Sequence, residues 1–282
     1  MGKNRQQWTR LLEPCNFPTF NTRIKSHATV KRSGIRAMRG VTCISVIAIW
    51  IGLCTADILD NLQVCKRSSS NLNDCLKSAI ESALPVLKDG LPEFGFPSLE
   101  PIKMDKWNIE PQPPLHFTKR YENIEMYNHW ASQIKDVSCA IGEKDFSLKI
   151  KGYNPKIKLE SDYEFVNSSF AGIDVSGKGK ATYDHSGYDF DLTMRGEIVQ
   201  KGGDDYLTLS SANLVMTAEK FSINFKSDNA QRDNLINTFG GLHGVIMFPL
   251  VKHDYEMMYA EAYRKLANII LDQVPYNNLF PM

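Results

Sequence analysis

The sequence predicts an α+β fold in which a strongly curved antiparallel sheet wraps around a long C-terminal helix. Three observations lead to this class. Apolar residues recur at helical spacing near each end of the folding region, over 71–90 and again from Met257 to Val274. Between them, apolar and polar residues alternate with period two, which is typical of an antiparallel meander. Each strand is apolar on one face only, and the C-terminal helix is the one large apolar element available to cover that face.

The first helix is predicted over residues 71–90, where one apolar stripe recurs at three- and four-residue spacing. We expect Gly90 to end this helix. We also expect Pro85 to kink or break it, because proline cannot donate the helical hydrogen bond. The proline-rich segment 91–101 that follows cannot continue as a regular helix.

The sheet is predicted from residue 146 onward. Its apolar face holds Phe146, Leu148, Ile150, Ile157, Leu159, Tyr163, Phe165, Tyr188, Phe190, Leu192, Met194, Leu207, Leu209, Phe221, Ile223 and Phe225. Turns are expected at 153–155, 185–187 and 201–205, where Gly, Pro, Asn and Ser interrupt the alternation. The glycines of 176–180 are expected to mark a bend in the sheet.

The last helix is apolar over a wide arc, and Tyr255, Tyr259 and Tyr263 recur in it at four-residue spacing. Pro275 is expected to end it. No linker or change of composition divides the chain after residue 56. Residues 57–282 are therefore predicted to form a single domain.

The stretch 41–54 is apolar and uncharged, with Arg36 and Arg39 before it and small residues at 54–56. This pattern is typical of a secretory signal peptide, which we assign to 38–56. A membrane anchor is the alternative, but fourteen residues at 1.5 Å each reach only about 21 Å, short of the ~30 Å hydrocarbon core. We therefore expect a secreted, extracellular protein without stable membrane insertion.

Residues 1–37 carry eight Lys or Arg and one acidic residue, without helical or strand periodicity. Because Met38 is well placed to start the signal peptide, we interpret 1–37 as a non-native or gene-model extension. The whole chain has a net charge of +1, but residues 57–282 hold 24 basic and 31 acidic residues, a net charge of −7. This balance gives no electrostatic reason to expect binding to nucleic acid or to an anionic membrane.

Three cysteines follow residue 56, so one disulfide and one spare thiol are expected in an oxidising compartment. Cys65 and Cys75 are ten residues apart, and closing that loop would stabilise the fold by about 2–3 kcal/mol. Cys139 would then be a buried thiol, which we favour, or an intermolecular link. Asn167 begins an Asn-Ser-Ser sequon for N-glycosylation.

The sequence does not point to catalysis. No histidine after residue 56 stands four residues from another histidine or near a cysteine, which argues against a zinc site, and Gly-x-Ser-x-Gly does not occur. We therefore predict that the protein is not an enzyme and has no metal or cofactor. The sequence indicates no oligomeric state.

The two ends of the domain carry a family resemblance. The Cys65-x9-Cys75 pair, the helix that follows it, the run Gly-Leu-Pro-Glu-Phe at 90–94 and the tail Val-Pro-Tyr-x-x-Leu-Phe-Pro at 274–281 resemble the insect takeout and juvenile hormone binding protein family. The resemblance implies a long helix wrapped in a curved sheet that encloses an apolar tunnel for a lipophilic ligand. It also implies roles in circadian, feeding or olfactory physiology.

This sequence departs from the family pattern at three places. No cysteine after Cys139 can form the second disulfide of juvenile hormone binding proteins, which favours the takeout-like branch. Asn277 and Asn278 replace the usual acidic pair in the tail. The glycine-rich segment 240–244 is also unlike the family pattern.

The function predicted from these observations is a secreted carrier of a small lipophilic molecule, such as a terpenoid or a fatty acid. A lipid-modifying enzyme or a lipid-surface protein is the alternative. The candidate ligand-binding residues are Phe146, Leu148, Ile150, Tyr163, Phe190, Leu192, Phe221, Ile223, Phe225, Tyr259, Tyr263 and Leu266. For any one of the apolar residues, core packing is a more common role than ligand contact, whereas Tyr163, Tyr259 and Tyr263 could orient a polar head group.

Overall fold

The computed structural model describes residues 62–170 and 172–282. The predicted extension 1–37 and signal peptide 38–56 lie outside the described residues. In chain order the elements are α1 (Leu72–Leu87), β1 (Ile102–Ile109), β2 (Thr118–Tyr127), β3 (Gln133–Ile141), β4 (Asp145–Val166), β5 (Ser169–Phe170), β6 (Ile173–Asp174), β7 (Gly177–Lys201), β8 (Asp204–Ser227), α2 (Ala230–Leu242), α3 (Gly244–Leu271) and α4 (Tyr276–Leu279). Short 3-10 turns occur at Pro92–Phe94 and His129–Ala131.

The main sheet is antiparallel and has six strands, and the predicted α+β class is confirmed. Its order is β1-β2-β4-β7-β8, and β3 also pairs with β4. Strand β4 is long enough to pair with β3 along its first half and with β2 along its second half. Helix α3 packs along the apolar face of this sheet, and the sheet is not closed into a barrel.

Strands β4, β7 and β8 are 22, 25 and 24 residues long, about four times the usual strand length. The turns predicted at 153–155 and 185–187 are therefore wrong, because both segments lie inside continuous strands. The predicted turn at 201–205 is confirmed. There β7 and β8 meet through Gly202 and Gly203, which both have positive φ.

The residues that suggested turns instead form an irregular point in the middle of the sheet. Pro155 lies between the paired residues Asn154 and Lys156, and Gly187 lies at the corresponding place on β7. Proline lacks one ladder donor, and Gly187 has a φ of 61°, so the ladder is interrupted here without ending. The neighbouring side chain of Asn154 donates a hydrogen bond to the Asn128 carbonyl at 2.7 Å.

Helix α1 ends at Leu87, close to the predicted end at Gly90. It continues through Pro85, where a break was expected, because this proline lies in the last turn and removes only one helical hydrogen bond. A disulfide joins Cys65 to Cys75 in the first turns of the helix, and Cys139 is a half-buried free thiol.

A second C-terminal helix, α2, precedes α3 and was not predicted. The two axes differ by 102° and meet at His243. Both pack closely on β8, since a Cβ at Gly240 would overlap Ile223 and one at Gly244 would overlap the Phe221 carbonyl. This close approach gives a physical reason for the glycines of 240–244.

Among the residues that the structure describes, no single helix is long and apolar enough to cross a bilayer. Taken together, the bent pair α2 and α3 has a length and composition compatible with a membrane span.

Candidate ligand-binding site

Two apolar cavities lie between the sheet and the helices, and they share no lining residue. Cavity A measures about 340 Å³. It is lined by Ile80, Ala83, Leu84, Leu87, Phe96, Leu99, Ile102, His129, Ser132, Ile134, Phe146, Leu148, Ile150, Phe190, Leu192, Met194, Leu207, Leu209, Tyr263, Leu266, Ala267, Ile270, Leu271 and Phe280. Cavity B measures about 100 Å³. It is lined by Leu115, Phe117, Lys119, Tyr121, Phe165, Phe170, Ile173, Val175, Tyr183, Phe221, Ile223, Phe225, Leu235, Ile236, Phe239, Met247, Val251 and Tyr255.

Cavity A has an aliphatic and aromatic wall on every side. Strands β4, β7 and β8 form one wall with their alternating inward residues, because successive side chains of a strand point to opposite faces. Helix α1 and the second half of α3 form the facing wall. Phe280 of the C-terminal tail closes part of the cavity and packs on Phe146, with ring centroids 5.8 Å apart.

A glycine makes room for the aromatic wall of cavity A. Gly152 on β4 pairs with Phe190 on β7. A Cβ at position 152 would overlap the Phe190 ring. The ring therefore lies across the neighbouring strand, and its edge can reach the cavity.

The polar side chains lining cavity A are few. Nδ1 of His129 lies 2.5 Å from the hydroxyl of Tyr263, whereas Nε2 of His129 is buried without a hydrogen-bond partner among the described residues. Burial lowers the pKa of His129 to about 3, so the ring is neutral at physiological pH. The hydroxyl of Ser132 donates to the His129 backbone carbonyl at 2.8 Å. These groups can offer uncharged hydrogen bonds within an apolar chamber.

A fully buried aromatic layer, which we call the partition, separates the two cavities. It consists of His185, Tyr188 and Tyr259, each with a relative exposure of 0%. Tyr259 contacts His129 of cavity A with ring centroids 5.0 Å apart, and His185 contacts Tyr255 of cavity B at 5.1 Å. Burial lowers the pKa of His185 to about 3 and raises the pKa of both tyrosines. The partition is therefore uncharged.

Cavity B differs from cavity A by having a charged residue in its wall. Nζ of Lys119 lies 2.7 Å from Oδ2 of Asp254, and their side chains are only 3% and 6% exposed. Gln112 donates a longer hydrogen bond of 3.5 Å to the same carboxylate. Burial raises the pKa of Asp254, and the contact with Lys119 opposes that shift. Paired in this way, the two charges can persist in an apolar environment.

The structure brings ten of the twelve predicted ligand-binding residues into the two cavities. Cavity A holds Phe146, Leu148, Ile150, Phe190, Leu192, Tyr263 and Leu266, and cavity B holds Phe221, Ile223 and Phe225. Tyr163 lines neither cavity, and its hydroxyl accepts a hydrogen bond from Nη2 of Arg232 at 3.3 Å. Tyr259 lies in the partition.

Sequence reasoning missed three parts of these walls. Helix α1 was predicted, but its apolar stripe was interpreted only as helix packing, although four of its residues line cavity A. His129 and Lys119 lie on the stretch 102–141, where no strands had been predicted. Their partners Tyr263 and Asp254 are more than 130 residues away in the chain, so no local pattern could have revealed either pair.

The remaining predicted sites are placed as follows. Asn167 is exposed just after β4, which leaves its predicted glycosylation sterically accessible. Across 62–170 and 172–282, no three His, Cys, Asp or Glu side chains are grouped so that they could hold a metal ion.

Comparisons with known proteins identify a family and a solved structure with a similar fold. A family model described as haemolymph juvenile hormone binding protein matches residues 42–281. The crystal structure of Takeout 1 from Epiphyas postvittana superposes with a TM-score of 0.65, covering 78% of this chain and 100% of that one. At 13% identity this similarity shows the fold alone.

The crystal structure of lipopolysaccharide binding protein matches at 11% identity with a TM-score of 0.33, covering 72% of this chain and 38% of that one, and carries no conclusion. No curated protein matches the chain in sequence.

Proposed function

This chain belongs to the haemolymph juvenile hormone binding protein family, and on that premise we propose that it is a secreted carrier that holds one small lipophilic molecule in cavity A. The observation that carries the proposal is the size and lining of this cavity. Its volume of about 340 Å³ falls within the ~300–1,000 Å³ typical of small-molecule sites. Cavity B, at about 100 Å³, is too small for a ligand of that class unless it expands.

The ligand chemistry follows from the lining of cavity A. Aliphatic and aromatic walls favour a terpenoid, a fatty acid derivative or a similar chain. His129 and Tyr263 are the groups best placed to hydrogen-bond an uncharged polar head, such as an ester, ketone or epoxide oxygen. The lining of cavity A offers no counterion to a charged head group, so a fatty acid would bind with its chain in the cavity and its carboxylate in solvent.

The expected affinity is set mainly by burial of the apolar chain. Ten ligand CH₂ groups at about 0.8 kcal/mol each contribute roughly 8 kcal/mol before the costs of ordering. Before those costs, this gain corresponds to a dissociation constant of about 1 μM, so micromolar affinity is the upper limit that burial alone supports. A hydrogen bond to His129 would add selectivity among ligands more than affinity.

The same lining supports a carrier over a lipid-modifying enzyme. Hydrolysis would need a Ser or Cys nucleophile beside a histidine base. In cavity A, the Ser132 hydroxyl donates to the backbone carbonyl of His129, and the imidazole Nδ1 is already engaged by Tyr263. No nucleophile and base are therefore paired at this site.

The proposal includes secretion and processing. The uncharged segment 41–54 and the small residues at 54–56 support cleavage before Asp57, and the disulfide between Cys65 and Cys75 suits an oxidising compartment. The mature protein would then be a glycoprotein modified at Asn167. Family membership also motivates circadian, feeding or chemosensory roles for the carrier.

Native mass spectrometry of the purified protein, followed by solvent extraction, tests the carrier function directly. We expect the native protein to carry the added mass of one lipophilic molecule. After extraction, we expect it to bind a fluorescent fatty acid. Phe190→Asp should abolish both, because it places a carboxylate in the wall of cavity A. Val215→Asp, at a half-exposed position on β8, should change neither. A wild-type protein with no extractable ligand and no fatty acid binding would contradict the proposal, as would a folded Phe190→Asp variant that binds normally.

A further inference from the structure

The junction of α2 and α3 carries an apolar surface that the carrier function does not use. Residues 234–251 include no Asp, Glu, Lys or Arg over 18 positions. Five large apolar side chains of this stretch are exposed, and we call them the elbow: Leu235 (47%), Phe239 (39%), Leu242 (75%), Val245 (72%) and Ile246 (66%). They make up half of the large hydrophobic side chains that are exposed in the described part of the chain.

The elbow is a fixed projection of the fold. The axes of α2 and α3 differ by 102° where they meet, so the residues around His243 form a corner. Gly240 and Gly244 hold this corner against β8 at distances that admit no side chain. The Asn237 side chain adds hydrogen bonds to both backbone groups of Phe225, at 2.7 and 2.9 Å. A group of exposed large apolar side chains of this kind often marks an interaction site.

The two helices that form the elbow carry little free charge. On α2, Asp233 is buried and accepts hydrogen bonds from Ser227, while Arg232 donates to Ser176 and Ser227. On α3 the next charged residue is Lys252, which lies 3.4 Å from Glu256. A protein partner usually meets a rim of polar and charged groups around an apolar centre. The two helices of the elbow provide almost none.

The shape of the elbow argues against a flat contact with a second copy of this chain. A convex corner with three side chains exposed by 66–75% suits insertion between lipid head groups better than a flat contact.

The elbow is continuous with cavity B. Leu235 and Phe239 belong to the elbow and also line the cavity, together with their neighbour Ile236. Cavity B therefore reaches the surface beside the apolar corner.

We propose that the elbow docks reversibly on the surface of a lipid bilayer, with Leu242, Val245 and Ile246 entering the boundary between head groups and acyl chains. The interaction is apolar, because no basic cluster belongs to the elbow and residues 57–282 carry a net charge of −7. Docking is therefore expected on neutral phosphatidylcholine membranes, with weak dependence on salt. This inference goes beyond the proposed carrier function and does not require a bound ligand.

Flotation of the purified protein with phosphatidylcholine vesicles tests the proposal. Val245→Glu places a charge at a position that is already 72% exposed, so folding should be unaffected. We expect it to lower the partition coefficient at least about tenfold, because a carboxylate is costly within the membrane boundary. Val215→Glu is the matched control, since this valine is 50% exposed on β8, and it should float like the wild type.

Three outcomes would overturn the proposal. In the first, the wild type does not float with the vesicles. In the second, Val245→Glu floats as well as the wild type. In the third outcome, sedimentation would show a dimer that Val245→Glu dissociates, with no vesicle binding, and the elbow would then be an interface between two copies. Fatty acid binding in solution separates this test from that of the carrier, because Val245→Glu should retain it. A wild type that floats but binds no fatty acid would contradict the carrier and leave the elbow assignment intact.

Discussion

His185 illustrates how single residues keep the interior of this protein uncharged. Its ring is fully buried among Phe221, Phe248 and Tyr255, and neither nitrogen has a hydrogen-bond partner in the described residues. Burial without a counterion lowers its pKa from 6.5 to about 3. The folded protein therefore keeps this histidine neutral at pH values where the unfolded chain protonates it.

We predict that His185→Leu reduces the loss of stability in mild acid. As the pH falls below 6.5, the unfolded chain binds a proton at His185 and the folded protein does not, so the free energy of unfolding decreases. Between pH 7.5 and pH 5 this residue accounts for about 2 kcal/mol of that decrease. Urea denaturation at pH 7.5 and pH 5 measures this decrease in the free energy of unfolding. The exposed His253→Leu is the control and should behave like the wild type, and an unchanged pH dependence in His185→Leu would contradict the account.

Individual site residues were predictable where local periodicity determines their direction. Phe146, Leu148 and Ile150 face one side because alternate residues of a strand share a face, and all three line cavity A. Tyr163 satisfies the same pattern but contacts Arg232, which lies 69 positions later in the chain. Periodicity predicts the face of a residue, whereas its partner across the fold depends on tertiary packing.

The long strands show why local turn rules failed for some elements. The segments 153–155 and 185–187 have the composition of turns, yet each lies within a strand with ordered neighbours on both sides. Pairing along β4, β7 and β8 satisfies the surrounding backbone groups, which outweighs one missing donor at Pro155. At 202–203 no such constraint applies, and the glycines form the predicted turn.

Helix α1 is the element that connects the disulfide to the cavity. Cys75 lies within this helix and is bonded to Cys65. The backbone of Arg67, close to Cys65, donates to the Pro281 carbonyl at 2.8 Å, which ties this segment to the C-terminal tail. The disulfide therefore restrains one wall of cavity A and the tail that partly closes it.

Removal of the disulfide should loosen this wall. We predict that the double variant C65S/C75S lowers the free energy of unfolding by about 2–3 kcal/mol, because the open loop gains entropy in the unfolded chain. Amide hydrogen exchange should also increase selectively over 72–87. The control is Cys139→Ser, which removes the half-buried free thiol and should leave exchange in α1 unchanged. Equal exchange in α1 with and without the disulfide would show that packing alone holds the helix.

At the scale of the whole molecule, the architecture was predictable and the division of its interior was not. The wide apolar arc of the last helix and the one-sided strands already required the helix to lie against the sheet. The two cavities depend on where side chains leave space and where the partition fills it. His129, His185 and Tyr259 meet there from three separate elements, a convergence that no window of sequence contains.

The central claim is that cavity A holds the ligand, and a fluorescent fatty acid titration of Ala267→Trp tests it most directly. Ala267 lines cavity A on α3, so the indole would occupy space that the ligand needs without introducing a charge. We predict that the dissociation constant rises at least about tenfold, equivalent to 1.4 kcal/mol. Ala140→Trp, at an exposed position on β3, should bind like the wild type. A folded Ala267→Trp protein with wild-type affinity would contradict the assignment of cavity A.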